Sequence, residues 1–107
     1  MKNKYYNIQT QVDHEGVAHL PYATVELLVE VPYSKLAPSA NEKSCDPDEM
    51  LVAIGIAEDV VRAKYPIENA SYNLKKPTLE LDPASIIGRD DFITASNGSK
   101  GWLISRS

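Results

Sequence analysis

Few residues in this chain have the side chains that catalysis usually needs. Among its 107 residues there is one cysteine, Cys45, and two histidines, His14 and His19. Cys45 stands just ahead of a segment patterned as a helix, where a helix N-terminus can lower a thiol pKa. A cysteine nucleophile also needs a base. Nothing in the spacing brings either histidine to Cys45, and Glu42, Asp46, Asp48 and Glu49 around it oppose a thiolate. Cys45 therefore reads as a bystander.

The other polar groupings read the same way. Asp13, His14, Glu15 and His19 include metal-ligating types, but the H-x4-H spacing matches no common zinc pattern. They read as a solvated turn. Asp90 and Asp91, beside Arg89, read as a polar turn rather than an acid–base pair. Gly88 and Gly98 stand alone, so no phosphate-binding glycine loop exists. No catalytic residue, metal or cofactor is assigned.

The aromatic set is more telling. Six tyrosines stand against one phenylalanine, with a single Trp102. Tyrosine and tryptophan bury area while keeping a polar handle, which favours them at protein interfaces. They also stack on single-stranded nucleic acid when basic residues flank them. The combinations singled out are Tyr72 with Lys75 and Lys76, and Trp102 with Lys100 and Arg106.

These residues need elements to position them, and the clearest is a helix over Asp46–Tyr65. Asp46 is placed to cap it, Pro47 suits the first helical position, and Glu49 completes a capping-box-like Asp-x-x-Glu. Pro66 ends it, with Arg62 and Lys64 favourably placed in the last turn. At about 100° per residue, Met50, Ile54, Ala57 and Val61 form one apolar stripe, widened by Leu51, Ala53, Val60 and Tyr65. Val52, Ile56 and Ala63 then fall on the back, beside Asp59. That back is expected either to be a second packing surface, for the long loop, a partner or a second subunit, or simply to expose a few small apolar residues. Gly55, costly in a helix interior, is expected where another backbone comes close.

Two strands precede the helix. Residues 4–12 place Tyr6, Ile8, Thr10 and Val12 on one side. Residues 22–31 place Ala23, Val25, Leu27, Val29 and Val31 on one side, with Leu28 the exception on the other. A hairpin joins them. Tyr33 to Cys45 then forms a long aperiodic loop, in which Tyr33, Lys35 and Leu36 are the candidate partner contacts. After the helix, residues 69–74 read as a strand broken by Pro77, with pairing resumed at 78–81. Asp82-Pro83 opens a single helical turn over 84–87. A final hairpin flanks Asn97-Gly98.

The expected fold is one α+β domain spanning residues 1–107, with an antiparallel sheet of four to five strands and one long helix on one face. Net charge is −4, and residues 46–68 hold six acids against two bases. A basic partner surface suits this better than a phosphate backbone. No apolar run approaches the roughly 20 residues of a membrane span. The lone cysteine and the missing signal peptide point to the cytoplasm.

The functional expectation is a small non-catalytic protein-binding module, an adaptor or inhibitor of the kind found in mobile genetic elements or immunity pairs. Its contact residues are Tyr33, Lys35, Leu36, Val52, Ile56, Asp59, Tyr72 and Trp102. One alternative is a single-strand nucleic-acid binder using the C-terminal basic and aromatic residues. Another is a small enzyme or ligand-binding domain with its site between subunits.

Overall fold

The computed structural model describes residues 3–14, 22–41, 43, 45–66, 70–87 and 91–104. Strands β1 (Asn3–His14) and β2 (Tyr22–Pro32) form a long antiparallel pair. A 3-10 turn (Tyr33–Lys35) and the loop lead into helix α1 (Pro47–Lys64). Then come β3 (Ala70–Leu74), β4 (Thr78–Glu80), the short helix α2 (Ala84–Ile87), β5 (Asp91–Thr94) and β6 (Lys100–Ile104). Every strand pair is antiparallel, in the order β3-β1-β2-β6-β5, with β4 also on β1. The fold is the expected α+β architecture.

The two strands β3 and β4 share one side of β1. β3 pairs along Thr10–His14 and β4 along Tyr5–Asn7. Lys75-Lys76-Pro77 spans the gap, where Lys75 N–H still donates to the Gln9 carbonyl at 2.8 Å. Pro77 has no N–H to give, which is why the ladder breaks there and the sheet holds one strand more than expected.

The alternation of β1 and β2 sets the two faces of the sheet. Tyr6, Ile8, Val12, Leu27, Val29 and Val31 are fully buried beneath α1, together with Ala53, Ala57, Val60 and Val61 of the helix. The opposite face is polar along Gln9 and Thr24 but carries a second apolar patch. Leu28 is fully buried there, across from Trp102, whose ring lies 5.2 Å from Phe92 and 6.1 Å from Tyr5. Leu28 is no error of alternation, then, but the centre of this patch. The connection from β4 to β5 runs from one sheet edge to the other and places α2 against β6.

The phase of α1 corrects the sequence reading. Its buried residues are Glu49, Ala53, Ile56, Ala57, Val60 and Val61. Ile56 is 5% exposed and belongs to the core, and Val52 packs against that core. Neither lies on a free back. Leu51, expected to face inward, is 67% exposed. The cause is a charge. Apolar residues surround this helix, so hydrophobicity sets its rotation only loosely. Burial of the Glu49 carboxylate turns the face that includes Ile56 toward the sheet.

Gly55 is also corrected. It is exposed, with no atom within 4 Å of where a Cβ would sit. The close approach is at Gly101 instead. A Cβ there would meet the Leu28 carbonyl oxygen at 2.9 Å and Val60 Cγ1 at 3.0 Å. Gly101 is what lets α1 lie close against β6.

The last hairpin closes differently from a two-residue Asn-Gly turn. Ala95 N–H donates to the Ser99 carbonyl at 2.8 Å, and Gly98 N–H to the Ala95 carbonyl at 2.9 Å. Gly98 has φ 91°. The loop is therefore Ser96-Asn97-Gly98, a turn followed by a left-handed glycine that restores the strand register.

Candidate partner-contact surface

The sheet ends beside the start of α1 in a buried polar cluster. Asp46 caps the helix by accepting from Glu49 N–H at 2.9 Å. The Glu49 side chain turns inward, where its Oε2 accepts from Lys4 Nζ at 2.6 Å and from the Tyr6 hydroxyl at 2.8 Å. Lys4 Nζ also donates to the Asn41 carbonyl at 2.7 Å. The Lys4 and Glu49 side chains are 2% and 1% exposed. Burial and the Glu49 carboxylate push the Tyr6 phenol well above its ordinary pKa. Burial, and then the same carboxylate, raise the Cys45 thiol.

The rise in the Cys45 pKa disfavours the thiolate, with its direction set by burial and the Glu49 carboxylate and not by the helix N-terminus. His14 ends β1 eight residues beyond Tyr6, roughly 26 Å along an extended strand. It cannot serve a thiol beside Tyr6 and Glu49. The side chains of Asp13 and His14, together with Glu15, His19, Arg89 and Asp90, lie outside the described residues. Among the described residues no group of three or more His, Cys, Asp or Glu is placed to hold a metal ion.

The surface above this cluster is different in character. A groove of about 170 Å³ is lined by Tyr5, Tyr33, Leu79, Leu81 and Pro83, with Asn3, Lys4 and Glu80. Leu81 is 73% exposed, the most exposed large apolar side chain described. Tyr33 reaches the groove because Pro32 ends β2 and the 3-10 turn, closed by Leu36 N–H donating to the Tyr33 carbonyl at 3.0 Å, redirects the chain.

The residues expected to contact a partner are dispersed. Tyr33 lines this groove. Lys35 is exposed and borders a smaller hollow with Glu30, Pro32 and Lys100. Leu36 packs partly against the core and so anchors the loop. Val52 and Ile56 belong to the helix–sheet packing described above. Asp59 Oδ2 accepts from Asn97 Nδ2 at 2.7 Å and from Ser99 Oγ at 3.3 Å, which ties α1 to the last hairpin.

Tyr72 and Trp102, the aromatic residues considered for stacking on nucleic acid, are separated by the sheet. Tyr72 lies on the α1 face, where its hydroxyl donates to the Tyr65 carbonyl at 2.6 Å and Arg62 sits 4.6 Å over its ring. Trp102 is on the opposite face and only 7% exposed. One strand of nucleic acid cannot stack on both, and Arg106 lies outside the described residues.

Sequence reasoning missed the inward Lys4–Glu49 pair and the exposed Leu81. A lysine in phase with Tyr6, Ile8 and Val12 on a strand was the available signal for the first. Leu81 carried none, because its exposure follows from where β4 ends. Comparison with family models, with curated proteins and with solved structures gives no match. No helix among the described residues is long and apolar enough to cross a membrane.

Proposed function

We propose that this protein is a small non-catalytic cytosolic module, an adaptor or inhibitor, that works by docking a partner protein in the groove between Tyr33 and Leu79–Pro83. The observation that carries the reading is the contrast at this end of the sheet. Among the described residues, Lys4, Tyr6 and Glu49 are turned inward and Cys45 is half-buried. Tyr33, Leu81 and Pro83 remain at the surface around an apolar hollow. Such a hollow suits an apolar anchor side chain from the partner, since buried anchors supply most interface energy.

The charge of the chain specifies the flanks of that anchor. With a net charge of −4, and with Glu80 and exposed Asp82 beside the groove, a partner segment with basic residues beside its anchor is favoured. Co-purification of the full chain from its native host, alongside Leu81→Asp, tests the reading. One partner should be retained by the parent chain and lost by the variant, with both chains equally folded. Equal recovery by both, or recovery of nothing by either, contradicts it.

A further inference from the structure

From the buried cluster we infer that Lys4 is a positioning residue, which holds the loop leading from the 3-10 turn of Tyr33 to α1 in one form. The inference rests on the docking reading above for its functional meaning, but its structural content stands separately. Residues 37–39, Asn41 and Lys43 are exposed, so packing does little to order this part of the loop. Beyond the Leu36 anchor its ties are polar, and the first is Ala40 N–H donating to the Ala37 carbonyl at 2.9 Å. The Asn41 side chain accepts from Lys43 N–H at 2.9 Å, forming a local turn. The carbonyl of the same residue accepts from the buried Lys4 ammonium.

That ammonium is in turn held against Glu49, in the first turn of α1, and Tyr6 donates to the same carboxylate oxygen. One lysine on β1 thus joins the sheet, the loop and the start of the helix. A buried ion pair adds little net stability compared with apolar residues of similar volume. Here its effect is geometric. An apolar interior would support the helix and the sheet equally well, but it could offer nothing to the Asn41 carbonyl.

The test replaces the three polar heads together, with Lys4→Met, Tyr6→Phe and Glu49→Met, so that neither half of the ion pair is left buried without the other. The triple variant should melt at or above the parent's midpoint. Backbone order parameters over residues 37–43 should fall from about 0.85 in the parent to below about 0.6 in the variant. A loop that stays rigid in the folded variant overturns the inference, as does a loop already mobile in the parent. Should the triple variant fail to fold, the parent decides through the Lys4 ammonium protons. A slowly exchanging NMR signal supports the inference, and an ammonium exchanging as fast as a surface lysine's overturns it. Failure of the docking reading looks different. The loop would then respond as described while the parent chain retains no partner.

Discussion

At the scale of single residues, the interior holds two kinds of polar group with opposite consequences. Thr10 is fully buried, and its Oγ1 has no hydrogen-bond partner. An unpaired buried hydroxyl costs about 1–3 kcal/mol. Thr10→Val, close in shape, should therefore stabilise the fold by about 1 kcal/mol in a denaturant titration. Lys4 is the reverse case. Lys4→Met alone leaves the Glu49 carboxylate buried without its cation and should cost about 3–5 kcal/mol, read from the same titration.

The phenol of Tyr6 and the thiol of Cys45 add a pH dependence whose sign is fixed. Both pKa values are raised in the folded state, so above the unfolded values the unfolded chain binds fewer protons than the native one. Stability should be level near neutrality and fall as pH rises past about 8.5 for the thiol and about 10 for the phenol. Tyr6→Phe should flatten the upper part of that fall in melting curves taken across pH.

At the scale of elements, the strands were legible because each of the first two buries one face beneath α1. A period of two then survives in the sequence, and Tyr6, Ile8, Val12, Leu27 and Val29 could be assigned inward from it. The helix ends were legible for a local reason. Asp46, Pro47 and Pro66 act through their own backbone geometry and need no tertiary context. The rotation of the helix was not legible. Hydrophobic residues lie on all its sides, and the deciding contact joins Glu49 to Lys4 across 45 positions in the chain. A rule that turns carboxylates outward fails where a lysine is buried opposite.

The two glycines test this account of the helix. Gly55→Ala, exposed and unobstructed, should stabilise by up to about 1 kcal/mol, the propensity difference in a helix interior. Gly101→Ala should destabilise, because its methyl group would meet the Leu28 carbonyl and Val60. Thermal melts of the pair should shift in opposite directions. Two shifts of the same sign would mean that α1 and β6 are not packed as described.

At the scale of the whole molecule, one sheet is covered on one face by α1 and carries on the other a smaller patch around Leu28 and Trp102. Of the three residues expected to form a dimer face, Ile56 faces the core and Val52 packs against it, which leaves only the small Ala63 exposed. Light scattering at high micromolar concentration should give a monomer. Among the described residues the large apolar groups left at the surface are scattered, Leu51, Leu81 and Phe92, and Leu81 borders the groove of Tyr33. The candidate surface was legible in part. Tyr33 follows from a proline-terminated strand entering a long loop. The groove itself depends on β4 returning beside β1 after Pro77, a pairing between residues more than 70 positions apart.

The central claim is that partner binding occurs at this groove and not elsewhere. Photo-crosslinking in extracts of the native host, with the reactive residue placed at position 33, 81 or 51, tests it most directly. Positions 33 and 81 should yield the same cross-linked partner, and position 51, equally apolar and exposed on α1, should yield none. A partner captured from position 51 alone, or no specific product from 33 and 81, would contradict the account.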